Sequence, residues 1–247
     1  MLFIYVDVYD KKTSCWNTAK RKILTVLGSV HAQLCYQRLF NEYVDYIITS
    51  FDPGKIIEVI QHNRTTEGIC FYDGSKWVSN NALPYDINKL PRPDRSHFDA
   101  HPNNYQYLAL EHAAWVRTAF SCPYACEFCY RHRMNASTYF ARDIADVVDE
   151  IKSINADNIY ICDDNFLVNP KRLKEFVRLI KEQNIRKKYI FYGRSDFIVR
   201  HPDLMADLAE IGLYYCMVGL ESIDDTSLDK YNKGSSINNN AEAIRIC

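Results

Sequence analysis

An α/β fold is predicted for this 247-residue chain by three observations. Short apolar segments alternate with amphipathic helical ones along most of the sequence. In the second half, the segment after each predicted strand is polar, charged or cysteine-bearing, as at the mouth of a (β/α) barrel. The first of these segments packs Cys122, Cys126 and Cys129 into SCPYACEFCY (121–130). The period predicts a partial (β/α) barrel of about four βα units over 114–247. A partial doubly wound α/β domain is expected over 1–80, with a proline-containing linker over 81–113.

In the first domain, residues 2–8 (LFIYVDV), 23–27 (ILTVL) and 44–49 (VDYIIT) are short, apolar and rich in β-branched or aromatic residues. They suit strands of a buried parallel sheet. Amphipathic stretches at 14–22 and 33–42 supply the helices between them, and a further helix is expected after Pro53. Asp73-Gly74 between strand-like flanks predicts a hairpin. In the linker, Pro84, Pro91 and Pro93 impose extended backbone.

The second domain is more strongly periodic. Strands are expected at 114–120, 159–162, 189–192 and 213–218. Ile144, Val147, Val148 and Ile151 fall on one face of a helix, as do Leu173, Phe176, Val177 and Ile180. Asn169 is positioned to cap the latter helix, with Pro170 at its first turn. Pro202 opens another helix, which Gly212 ends; a last helix begins near Asn239.

Hydrophobic residues make up 47% of the chain and charged ones 25%, ordinary for a globular protein. A net charge of −1 provides no global field for nucleic acid or an anionic membrane, so no nucleic-acid partner is expected. Apolar runs are strand-length, so no membrane span is expected. Nine cysteines without a signal-peptide pattern predict a reducing, cytoplasmic setting.

Three thiolates spaced C-x3-C-x2-C can converge on one face of a loop, which suits a metal site. They are one short of a closed zinc site or of the usual four cluster cysteines. A zinc knuckle completed by His132 is one reading; a cluster with one open iron is the other. The spacing, with Phe128 just before the third cysteine, resembles the radical S-adenosylmethionine (radical SAM) superfamily. That resemblance implies a 4Fe-4S cluster on Cys122, Cys126 and Cys129, whose open iron is chelated by the amino and carboxylate groups of S-adenosylmethionine (SAM). Reductive cleavage of SAM then yields a 5′-deoxyadenosyl radical. The resemblance also implies roles at later strand ends. Asp164 and Asn165 would meet the SAM amino group, and Arg194 the SAM carboxylate or the substrate. Glu221, followed by Ser222 in GLES, would face the ribose hydroxyls. An ion pair of Arg194 with Asp196 or Glu221 is the structural alternative.

The first domain resembles the second half of the cobalamin-binding domain of one class of the superfamily. The stretch LGSVHA matches its glycine-pair turn, with Gly28 kept and Ser29 in place of the second glycine. That class carries an upstream D-x-H-x-x-G loop with the cobalt-ligating histidine, and no such motif occurs in this sequence. Weak or absent cobalamin binding is therefore expected. Relatives of this type have about six βα units, so the sequence reads as the middle of a longer protein. The expected function is methyl transfer or oxidative rearrangement of a small organic or lipid-like molecule, with a flavodoxin or ferredoxin as electron donor. The alternatives are an enzyme resembling tRNA methylthiotransferases and a non-catalytic metal-binding scaffold.

Overall fold

A computed structural model describes residues 24–247. The strand expected at 2–8 and the helix at 14–22 lie outside the described residues. The chain divides into two compact units: one runs to Tyr85 and includes Arg133–Thr138, and the other comprises Asp86–His132 with Tyr139–Cys247.

Among the described residues, the first unit holds a four-stranded sheet in the order β1 (Val26–Leu27), β2 (Tyr46–Ile48), β3 (Ile69–Tyr72), β4 (Trp77–Ser79). β1 and β2 are parallel, whereas β3 and β4 add antiparallel, so the sheet is mixed. The hairpin closes where expected. The Asp73 carboxylate accepts hydrogen bonds from the Ser75 and Lys76 amides, and Gly74 has φ +107°. Alternation along β2 sorts its side chains to two faces. Tyr46 and Ile48 pack with Val59 from the helix Gly54–Ile60, and Ile47 packs with Ala32 from the helix Ser29–Cys35. Both faces are thus covered, as in a doubly wound sheet. The helix expected at 33–42 instead starts at Ser29 and tightens into a 3-10 turn at Tyr36–Leu39. Asn135 is left-handed and 2% exposed; its amide exchanges hydrogen bonds with the Tyr85 backbone at 2.8 and 3.0 Å.

The second unit contains four parallel strands in the order β12 (Leu213–Val218), β11 (Lys188–Gly193), β10 (Asn158–Ile161), β7 (Ala113–Val116). A hairpin, β5 (Gln106–Tyr107) and β6 (Leu110–Glu111), precedes them. Ile159, Ile161, Tyr189 and Phe191 face the helices Ile144–Ser153 and Pro170–Glu182, forming the main core with Val147, Ile151, Phe176 and Ile180. Caps fix where these helices start. Asp143 accepts from the Ala145 amide at 2.8 Å, and Asn169 accepts from Lys171 at 3.0 Å with Pro170 in the first turn. The opposite sheet face carries Tyr160 and Ile190, covered in part by Tyr107 and Leu110 of the hairpin; the Tyr107 and Tyr160 rings stack at 4.0 Å. Residues 86–113 are tied to this unit by charge. Arg95 and Arg142 both pair with Glu150, whose side chain is 3% exposed, at 2.7 and 2.6 Å. A buried carboxylate needs such partners.

One predicted strand is two. The segment 114–120 breaks after β7, and β8 (Ala119–Phe120) pairs antiparallel with β9 (Phe140–Ala141). Asp163 causes the break. Its buried carboxylate accepts from the Thr118 amide (2.6 Å), the Thr118 hydroxyl (2.5 Å) and the Ala119 amide (3.0 Å). Backbone donors that would extend the ladder are taken by a side chain. Burial pushes the Asp163 carboxyl above the usual range, and the Thr118 hydrogen bonds oppose that shift.

Replacing Asp163 by Ala strands two buried amides, so a loss of about 3 kcal/mol is expected in urea denaturation. A loss below about 1 kcal/mol would show that the break at Thr118 does not depend on this carboxylate.

Candidate active site

The cysteine loop leaves β8 through Ser121, which has φ +66° and whose hydroxyl donates to the Arg131 carbonyl at 3.0 Å. The Glu127 amide donates to the Tyr231 carbonyl (2.9 Å), and the Asn232 side chain donates to the Ala125 carbonyl (2.9 Å). Phe128 meets Tyr231 edge-on at 5.6 Å. The Ser121–Arg131 bond thus closes the ends of the loop, and contacts with residues 231–232 pin its middle.

A cavity of about 320 Å³ opens beside this loop at the C-terminal ends of β10, β11 and β12. That volume is in the range of small-molecule sites. All three cysteines line it, together with Asp164, Asn165 and Arg194. Glu221 and Lys233 line its other side. A larger groove, about 780 Å³, lies at the opposite strand ends beside Asp157, Lys187 and Gly212. It contains no cysteine, so the chemistry marks the smaller cavity.

The donor set fits an iron–sulfur cluster. Cys122, Cys126 and Cys129 are free of disulfides, and Cys126 is buried. Burial pushes the Cys122 thiol up, and the charges of Asp164, Cys129 and Cys126 push the same way. Among the described residues no three His, Cys, Asp or Glu side chains are grouped as one metal ion requires. A tetranuclear cluster asks for less, because each thiolate binds a different iron. The zinc reading needed such a grouping with His132, which does not line the cavity.

Arg194 is 5% exposed beneath the loop. Its Nε donates to Asp196 at 2.8 Å, its Nη1 lies 3.6 Å from the Cys126 Sγ, and its Nη2 donates to the Lys233 carbonyl. Its guanidinium carbon stands 3.9 Å from the Tyr124 ring centroid. Asp164 pairs with Arg131 at 3.0 Å; burial pushes its carboxyl up, and Arg131 and Arg117 oppose that shift. Asn165 is 4% exposed, and both polar atoms of its side chain are buried without a hydrogen-bond partner. A buried amide left open in a cavity calls for a partner there, whether water or a ligand.

Glu221 has φ +66° and pairs with Lys233 at 2.9 Å, not with Arg194. Ser222 does not line the cavity; its hydroxyl exchanges hydrogen bonds with Asp224 at 3.0 and 3.1 Å. Behind this loop Asn240 donates to the Leu220 and Ser222 carbonyls and accepts from the Ser195 hydroxyl at 2.7 Å. Gly28 is in the first unit. It lines a separate cavity of about 360 Å³ at the C-terminal ends of β1 and β2, with Ser29, Ile48, Phe51 and Pro53. Ser29 has φ +82°, a conformation that favours glycine, as the glycine-pair resemblance implies. Sequence reasoning missed Lys233, Tyr124 and Asn240. Nothing local marks them: a lysine before a glycine at a helix end reads as solvent-exposed.

The Radical SAM superfamily model matches residues 116–247. The chain belongs to the radical SAM superfamily, whose members use a 4Fe-4S cluster and SAM. Within it, the chain resembles cobalamin-dependent enzymes, methyltransferases and cyclases. It is 26% identical over 242 residues to the anaerobic magnesium-protoporphyrin IX monomethyl ester cyclase of Cereibacter sphaeroides, covering 90% of this chain and 39% of that protein. It is 26% identical over 137 residues to the hopanoid C-3 methylase of Methylococcus capsulatus, covering 56% and 27%. Among solved structures, the cobalamin-dependent SAM radical enzyme OxsB with aqua-cobalamin bound matches with TM-score 0.76 at 17% identity, over 94% of this chain and 36% of that one. The methyltransferase TsrM from Kitasatospora setae, with cobalamin and a 4Fe-4S cluster bound, matches with TM-score 0.72 at 16% identity, over 99% and 55%. The chain thus spans about a quarter to a little over half of the length of these relatives. Among the described residues no helix is long and apolar enough to cross a membrane.

Asn165→Leu should leave the thermal midpoint unchanged or slightly raised, because the amide has no protein partner to lose. The same variant should weaken SAM binding by about tenfold or more, the scale of one or two lost hydrogen bonds. A lowered midpoint with unchanged SAM affinity would instead make Asn165 a scaffold residue.

Proposed function

We propose that this chain carries the cluster- and SAM-binding site of a radical SAM enzyme that modifies a small organic or lipid-like molecule by methyl transfer or oxidative rearrangement. One observation carries the reading: three loop cysteines share a cavity with the open Asn165 amide and with charged groups from successive strand ends. Cys122, Cys126 and Cys129 hold the cluster. Bound there, cluster and SAM together supply one-electron cleavage of SAM to methionine and a 5′-deoxyadenosyl radical.

This chain's residues bind and orient. Asn165 and Asp164 meet the amino group of SAM, and Glu221 receives the ribose hydroxyls. Arg194, whose donors go to Asp196, Lys233 and Cys126, holds the cysteine loop and its sulfur rather than a free carboxylate. The relatives are named for porphyrin and hopanoid chemistry, which supports a lipid-like, mostly apolar ring compound as the substrate. Half-exposed Trp115 and Tyr192 offer it an aromatic surface. A flavodoxin- or ferredoxin-like donor supplies the electron, in the reducing cytoplasm. The net charge of −1 disfavours the tRNA-directed alternative.

Cobalamin is a separate matter. The cavity beside Gly28 and Ser29 has room for a flat apolar group, but no histidine lines it. The residues fit part of the cofactor and supply no imidazole for cobalt, so no step is assigned to it.

Anaerobic reconstitution with iron and sulfide should load about four irons and four sulfides per chain, with broad visible absorption. Loading should fail in each single Cys→Ala variant of Cys122, Cys126 and Cys129. Stoichiometric zinc without acid-labile sulfide would refute the cluster assignment. For cobalamin, equilibrium dialysis against hydroxocobalamin should show little retention at about micromolar concentrations, where a 1 μM site would be half filled. Stoichiometric retention would overturn that expectation.

A further inference from the structure

The cavity contains a buried lysine to which nothing above assigns a part. The Lys233 side chain is 7% exposed, and burying an ammonium demands a partner. Its Nζ donates to Glu221 Oε1 at 2.9 Å and stands 5.8 Å from the Phe128 ring centroid. Phe128 also lines the cavity, so the lysine bridges the cysteine loop and the loop after β12.

Backbone features on both sides serve this pair. Glu221 sits at φ +66°, a conformation that a glutamate holds only when its surroundings fix it. Asn240 fixes the flanking carbonyls, and Lys233 fixes the carboxylate. Gly219 leaves the necessary room. A Cβ there would lie 2.1 Å from Glu221 Oε1 and 3.1 Å from Lys233 Nζ. Lys233 itself is set by the end of the helix Asp225–Lys230: its amide donates to the Leu228 carbonyl at 3.0 Å, and Gly234 turns the chain at φ +63°. Its carbonyl in turn receives the Arg194 guanidinium.

We infer that Lys233 is a positioning residue for the nucleoside half of SAM: it holds the Glu221 carboxylate in the cavity, aimed at the ribose diol. Only one Oε of Glu221 is engaged by the ammonium, which leaves the other free to accept from a hydroxyl. The inference rests on the SAM-binding reading above.

The test uses the full reconstituted chain and equilibrium binding of three probes: SAM, 5′-deoxyadenosine and methionine. Thermal midpoints are measured on the same samples. Lys233→Met should weaken SAM and 5′-deoxyadenosine by about tenfold or more, the scale of a lost charged hydrogen bond, and leave methionine unchanged. Lys233→Arg should restore most of the affinity. The double variant Lys233→Met, Glu221→Gln should bind no more weakly than Glu221→Gln alone, because the lysine acts through the glutamate. A lower midpoint with unchanged 5′-deoxyadenosine affinity would overturn the inference, as would additive losses in the double variant or an equal loss of methionine. Should Lys233→Met not fold, Lys233→Gln, which keeps a donor toward Glu221, enters the same comparison with the same deciding outcomes. Wild-type chain that loads a cluster but ignores SAM would refute the underlying reading; wild-type binding with an indifferent Lys233 variant refutes this inference alone.

Discussion

The buried guanidinium of Arg194 is the interaction on which the site depends. It joins three elements that approach one another only in the folded chain: the end of β11, the cysteine loop through Cys126, and the loop at Lys233. A cation with so little solvent exposure survives because Asp196 pairs with it at 2.8 Å and the Tyr124 ring covers its face. Asp196 is in turn held by Arg200 at 2.5 Å. An iron–sulfur cluster with thiolate ligands carries net negative charge, and a fixed cation beside one sulfur is how a protein adjusts its potential.

Other charges in the second unit are paired in the same way. Glu150 takes Arg95 and Arg142, Asp164 takes Arg131, and Glu221 takes Lys233. Asn165 satisfies neither end of its amide, and it does so inside the cavity that the cysteines line. A ligand with both a donor and an acceptor would complete it, a description that the amino acid portion of SAM meets.

The parallel sheet explains why these groups gather at one edge. Strands β7, β10, β11 and β12 run the same way, so every loop that follows one opens on the same side. The core-facing residues Ile159, Ile161, Tyr189 and Phe191 are free to be apolar because chemistry is confined to the strand ends. In the first unit the same logic puts Gly28 and Ser29 at the end of β1, above parallel β2.

Much of this was legible in the residues themselves, because it depends on near neighbours. The four parallel strands, the Asn169–Pro170 helix start, the Asp73-Gly74 hairpin and the cysteine spacing are all fixed within a few positions along the chain. Tertiary structure alone decided the rest. The break after Val116 needs Asp163, which is 45 residues from Thr118. Arg194 reaches Cys126 across 68 residues and Lys233 across 39. A lysine or an arginine is polar in any pattern of hydrophobicity, so sequence marks it as surface until folding supplies the buried carboxylate, ring or carbonyl that lets its charge stay inside.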